Sequence, residues 1–293
     1  MIPLLVAITS WSPGLLAVAD DRALLWSMSQ DGKPAGYLLG TIHSEDPRVL
    51  EFTEQFLDKL TSCEIFAMEM VPDLPTLTRL TNYMQYQDGR TLEGEIGSER
   101  YARVRSNLSH YQVPADWVEK MKVWATVMTL SVPPPETGFF MDFSLSLRAA
   151  GSGLKVVGLE TLEEQLSFLE QMPKDQQLSL LDQALRDYEQ VQKVHDEMVL
   201  SYLQGDLQNL QSTAQVQLEE LDSATRDYFV SQGIDARNRR MMGSLLPLLE
   251  ESRVFIAVGA LHLPGVEGLI ELLRDQGYDL KPEPLPLKYE SQK

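Results

Sequence analysis

GYLLGTIHSEDP, residues 36–47, runs from an apolar segment into a glycine and then, three residues later, a histidine. Tyr37-Leu38-Leu39 reads as a buried strand that stops at Gly40, and His43 follows before a helix start at Asp46-Pro47. The same arrangement returns near the other end of the chain in VFIAVGALHLPG, residues 254–265. There Phe255-Ile256-Ala257-Val258 stops at Gly259, and His262 comes three residues on. The chain has 4 histidines, so half of them stand in one local context. If the two strands are neighbours in one sheet, both histidines leave its carboxyl edge, where open α/β sheets bind ligands. Glycine at 40 and 259 would let the backbone turn off the strand and approach a ligand closely.

Outward from these stretches, the candidate strands are residues 23–28, 37–39, 65–68, 155–158, 254–258 and 278–281, short apolar runs bounded by glycine or polar residues. Helical periodicity fills the gaps. Residues 46–60 carry an apolar stripe at helix spacing, with Asp46 as N-cap, and SERYARVRSNLSHY and ADWVEKMKVWATVMTL read as two more helices. From residue 162 to about 249 the pattern is helical almost throughout. Strands alternating with helices at both ends predict an α/β fold, a central mixed sheet flanked by helices with a large inserted helical region about 162–249. Residues 20–293 are expected to form one such domain.

Composition narrows the function classes. The 293 residues are 43% hydrophobic, enough for a substantial core. A formal net charge of −18 argues against nucleic acid and against docking on anionic membranes, and it favours solubility. The one cysteine, Cys63, excludes an intrachain disulfide and reads as a small core residue. Residues 1–19 carry no charged side chain and end in Ala17-Val18-Ala19 before Asp20-Asp21, a small-residue cleavage pattern that reads as a signal peptide without its basic n-region. Export to a periplasm or the cell exterior is the expectation. No other stretch reaches the ~18 apolar residues of a membrane span.

Two carboxylates end short strands as the histidines do. Glu69 closes CEIFAME and Glu160 closes LKVVGLE. Two imidazoles and two carboxylates at one sheet edge would make a site for a divalent metal, with Mn, Co and Zn as candidates. Such a metal lowers the pKa of bound water, and a carboxylate beside it can serve as general base, the chemistry of metal-assisted hydrolysis. The plainer reading makes each histidine a hydrogen-bonded loop residue and each glutamate a charge at a helix start. No HExxH, CxxC or GxSxG motif is present. His195 reads as solvent-facing on a polar helix, and His110 as helix-terminal.

YLLGTIH, FAMEM, MDFSLSLRAAGSGLKVVGLETLEEQLSFL, RNRRM and VFIAVGALHLPGVEGLIELLRDQGYDL occur in this order and together resemble the TraB/GumN family, also called TraB/PrgY/GumN, which includes the Tiki proteins. The resemblance covers about residues 22–282. It implies a metal-dependent, peptidase-like hydrolase with His43 and His262 as paired histidines and Glu69 and Glu160 as their acidic partners, these four holding a divalent metal. It also implies that Arg237 and Asn238, in RNRRM, contribute polar groups to the same catalytic site. Asp142 stands where the family often has Asp; its local context reads as an N-cap for the helix that follows. MKVWATVMTL is similar to a Lys-Pro-Trp segment of the family, with Val123 where proline is usual, a departure read as structural. Related scaffolds support proteolysis, ester hydrolysis and ligand binding, so a non-catalytic protein that captures a peptide or small ligand is the alternative.

Overall fold

The computed structural model describes residues 22–285 and 287, and the signal-peptide reading of residues 1–19 lies outside the described residues. Six strands form one sheet: β1 (Leu25–Gln30), β2 (Lys33–Thr41), β3 (Ile65–Met68), β4 (Lys155–Gly158), β5 (Val254–Gly259) and β6 (Asp279–Glu283), in the order β4-β3-β5-β2-β1-β6. The block β4-β3-β5-β2 is parallel, while β1 runs antiparallel to both β2 and β6, so the sheet is mixed. β1 lies two residues later than the apolar run at 23–28 predicts. Its end is set by Asp31 and Gly32, both at positive φ (51° and 74°), which close the β1–β2 hairpin.

The two central strands are apolar on both faces. Leu38 and Leu39 in β2, and Val254, Phe255 and Ile256 in β5, are fully buried, because helices cover a parallel sheet on both sides. Each such side chain contributes roughly 1.5–3 kcal/mol relative to leaving it in water. In the ladder Gly40 stands opposite Val258, and Thr41 opposite Gly259. The two Gly-x-x-His segments therefore leave neighbouring strands at the same level.

Every element between β4 and β5 is helical, from Leu162–Glu170 to Ala236–Glu251. Local chemistry starts these helices where they begin. Thr161 and Glu164 form a reciprocal capping box, and Asp206 and Asp222 accept backbone N–H groups at two later starts. The region does not pack by itself. A second hydrophobic cluster joins Leu92, Leu108 and Trp124, from the chain between β3 and β4, to Leu162, Leu181 and Phe229. Val123 is the first residue of the helix Val123–Leu130, a position that accepts proline or any residue, since its N–H has no intrahelical partner. No helix among the described residues is long and apolar enough to cross a membrane.

Candidate functional site

Four adjacent parallel strands each deliver one charged or titratable residue from their carboxyl ends: Glu160 after β4, Glu69 after β3, His262 after β5 and His43 after β2. The glycines of the two turns serve close approach. A Cβ on Gly40 would lie 2.9 Å from the Ala260 Cα, and one on Gly259 would lie 3.2 Å from Glu69 Oε1. Neither glycine has a positive φ. The first turn is pinned against the second, and the second against a carboxylate.

Around His262 every polar atom is spoken for, which fixes its protonation. Asn238 Nδ2 donates to the carbonyls of Glu267 at 2.6 Å and His262 at 3.3 Å, so its Oδ1 is the acceptor that meets His262 Nδ1 at 2.6 Å. His262 Nδ1 thus carries the proton, and Nε2 presents a lone pair to Arg237 Nη1 at 3.3 Å. Burial holds this imidazole at a pKa of about 4, with Glu69 pulling the other way and Arg237 reinforcing the depression. Arg237 then bridges both carboxylates: Nη2 donates to Glu69 Oε2 at 2.7 Å and to Glu160 Oε2 at 2.6 Å, and Nε to Glu160 Oε2 at 2.9 Å. The three side chains are only 8%, 4% and 0% exposed.

The two carboxylates respond differently. Burial pushes both upward, but at Glu69 the guanidinium of Arg237, the His262 ring and the Gly259 N–H outweigh it and hold the pKa at about 2. At Glu160 burial wins over Arg237, and the neighbouring Glu69 charge adds to the rise. Arg237, raised above its ordinary value because the attraction of both carboxylates exceeds the cost of burial, stays charged. The segment that presents Arg237 and Asn238 follows a π-helical stretch, Phe229–Asp235, a distortion that re-aims side chains and often marks functional sites.

The His43 turn is built otherwise. His43 Nδ1 lies 3.8 Å from Asp142 Oδ2, and neither buried atom has a hydrogen-bond partner among the described residues. The imidazole stacks on Phe140 with ring centroids 3.7 Å apart. Burial lowers the His43 pKa, opposed by Asp142 and Glu69. Asp142 does not cap its helix. The N-cap of Met141–Gly151 is Phe140, without a side-chain bond, and Asp142 sits in the first turn, 7% exposed, accepting from Thr41 Oγ1 at 2.5 Å. Tyr202, from the helical region, donates to the Gly40 carbonyl at 2.8 Å and clamps this turn to the helices above it.

His43, Glu69, Arg237 and His262 line one cleft of about 350 Å³ whose remaining walls are mostly apolar, including Met84, Trp124, Leu166 and Phe229. His195 also lines this cleft with its side chain 18% exposed. The solvent-facing reading is corrected: Tyr202 lies seven residues on in the same helix, and anchoring that helix to the sheet turns His195 inward. His110 pairs with the Tyr188 hydroxyl at 3.0 Å, away from the cleft. Two contributors carried little sequence signal. Asp142 looked like a cap, and Gln165, whose Nε2 donates to Glu69 Oε2 at 3.0 Å, stood inside an ordinary amphipathic helix. The capping box at Thr161 could have flagged Gln165, since it starts that helix directly after Glu160 and keeps its first turns near the carboxylates.

This donor set does not fit a divalent metal as arranged. Glu69 Oε1 accepts the Gly259 N–H at 2.8 Å, its Oε2 accepts from Arg237 and Gln165, both Glu160 oxygens face Arg237, and the His262 lone pair meets the same guanidinium. Among the described residues no group of three or more His, Cys, Asp or Glu side chains is placed to hold a metal ion. A metal between Glu69 and Glu160 would stand against a buried guanidinium, a repulsion strong at low dielectric. His43 and Asp142 alone supply two donors, fewer than a structural or catalytic site uses.

Comparison with known proteins bears on the reaction class. The chain is 25% identical to a protein named Metalloprotease TIKI1 from Danio rerio over 91% of this chain and 64% of that one. It is also 25% identical to Metalloprotease TIKI2 from Xenopus tropicalis over 90% and 60%, and 23% identical to the Uncharacterized protein YbaP of Shigella flexneri over 83% and 89%. The chain thus spans less than two thirds of the length of these TIKI relatives. No solved structure matches. The TraB/PrgY/gumN family model matches residues 24–282, a span that takes in both Gly-x-x-His turns, the arginine that bridges the two glutamates and all six strands but the last residue of β6, and the chain belongs to that family.

Proposed function

We propose that the chain is a peptidase-like hydrolase of exported peptides, with His43 as its general acid–base group and Asp142 as the residue that positions it. The observation that carries this reading is the buried Asp142 carboxylate facing His43 Nδ1 while the imidazole lines an apolar cleft. A carboxylate on Nδ1 holds the ring in one tautomer and leaves Nε2 as the lone pair that takes a proton. The 3.8 Å separation is longer than a hydrogen bond and suits a pair that tightens when substrate fills the cleft. The names of the TIKI relatives come to this chain as a reaction class only. No step here runs through a metal.

In this scheme a water beside His43 Nε2 loses its proton to the ring and its oxygen attacks the scissile carbonyl carbon. The imidazolium lies in the negative field of Asp142 and Glu69, both of which favour its charge. It then returns the proton to the departing amine as the C–N bond breaks. Arg237 and the Gly259 N–H keep Glu69 ionised and, with Gln165, fix it, while Glu160 holds Arg237 and Asn238 holds His262 in place. Burial keeps His43 neutral below the ordinary histidine range, so the base form persists at mildly acidic pH.

The test incubates the purified protein with a library of short peptides rich in apolar residues and reads fragments by mass spectrometry. His43→Gln should lose about 10²–10⁴-fold in turnover with little change in melting temperature. Unchanged cleavage by that variant sinks the assignment. The predominantly apolar walls favour the second reading, a binder; that protein would retain such peptides and return them intact.

A further inference from the structure

The Gln165 amide has a fixed orientation and an unused half. Glu69 Oε2 accepts a hydrogen bond at 3.0 Å, so the atom facing it is Nε2, the donor. That leaves Oε1 as an acceptor, buried and without a partner among the described residues. Gln165 is 7% exposed and lines the cleft beside His43 and His262. A buried acceptor left unpaired is costly, and native proteins satisfy such atoms with protein, water or ligand. Here the protein supplies a neighbour only to the other end of the amide.

The surroundings define what could satisfy it. The cleft wall around Gln165 is apolar, with Leu162, Leu166 and Phe168 among its lining. A second cavity of about 520 Å³ shares Trp124, Met128, Met198 and Phe229 with the first. An extended chain with apolar side chains suits such an apolar cleft, and its backbone must bring hydrogen-bond partners or lose them. A peptide offers an N–H at each residue except proline; an ester or a lactone offers an oxygen lone pair in the same place.

We propose that Gln165 Oε1 accepts a backbone N–H of the bound substrate, so that the cleft selects apolar peptide amides over esters. This rests on the cleft being the substrate site of the proposed hydrolase. Glu69 is the reason the selection is rigid. It accepts on both oxygens, so the Gln165 amide cannot flip to offer an N–H to an ester oxygen without setting its own oxygen against a carboxylate held ionised at a pKa of about 2.

The probes are apolar hexapeptides and their depsipeptide partners, in each of which one backbone N–H is replaced by an ester oxygen. Binding is measured by calorimetry and cleavage by mass spectrometry. With the wild-type chain, one replacement position should weaken binding about tenfold or more. Gln165→Met, close in size and without the acceptor, should weaken the amide to the level of the ester and leave the ester unchanged. The wild-type comparison does not depend on how well the variant folds. Equal binding of amide and ester at every position, a gap that survives in Gln165→Met, or no binding of any hexapeptide overturns the proposal. A gap in binding without cleavage would keep the Gln165 inference and remove the hydrolase reading. Cleavage without a gap would do the reverse.

Discussion

The two Gly-x-x-His turns are near copies in sequence and opposites in chemistry. The turn after β5 is saturated: His262 donates from Nδ1 to Asn238, receives Arg237 on Nε2, and stands in a network that closes through Glu69 and Glu160. The turn after β2 is open: His43 Nδ1 and Asp142 Oδ2 face each other at 3.8 Å with no other partner among the described residues. One histidine is locked neutral as part of the framework, and the other is free to exchange a proton. A motif repeated in sequence does not imply a role repeated in the site. What differs is the third element, Ala236–Glu251 bringing Arg237 and Asn238 to one turn, and Met141–Gly151 bringing Asp142 to the other.

The comparison can be broken at several points. Arg237→Met removes the cation between two buried carboxylates, and should cost about 3–5 kcal/mol in denaturant unfolding; a loss below about 1 kcal/mol would mean the network does not hold the fold. Acid should act next. His262 has a folded pKa of about 4 against an ordinary 6.5, so the unfolded chain binds more protons between those values. Its contribution is complete above pH 6.5 and is lost as pH falls toward 4, about 3 kcal/mol in all. Glu69, depressed to about 2, extends the loss below pH 4.5. A flat stability curve from pH 7 to 4 would contradict the locked turn.

Smaller effects probe the open turn. Asp142→Asn keeps an acceptor for Thr41 and removes the charge beside His43. Turnover should fall roughly 10²-fold, and the acid limb of the pH–rate profile should move to lower pH, since Asp142 holds the His43 pKa up. An unmoved limb would separate Asp142 from the chemistry. Gly40→Ala forces a Cβ to 2.9 Å from Ala260 and should cost about 1–3 kcal/mol, read by thermal unfolding. His43→Gln should change stability by less than about 1 kcal/mol, the smallest effect of the set and the sharpest contrast with Arg237→Met.

The sheet was largely legible because its signals are local. Apolar runs ending at Gly40, Met68, Gly158 and Gly259 marked the four parallel strands, and with strands bounded, Glu69, Glu160, His43 and His262 had to leave one edge. Asp31-Gly32 carried the hairpin signal that would have corrected the bounds of β1. The site's chemistry was less legible because it depends on partners distant in the chain. Nothing near Glu69 announces that Arg237, 168 residues on, neutralises it. Asp142 sits at a helix start and mimics a cap, until the ladder places Thr41 beside it. His195 followed a polar pattern, while the burial of its helix was decided by Tyr202 reaching the Gly40 carbonyl.

The division of labour between the turns is tested most directly by following all four histidine rings by NMR from pH 8 to pH 4. Ring nitrogen shifts report the tautomer and the titration of each. The account predicts that His262 carries its proton on Nδ1 and stays neutral until about pH 4, while His43 gains its second proton at a pH below the ordinary histidine value. His262 titrating near pH 6.5, or carrying its proton on Nε2, would contradict it.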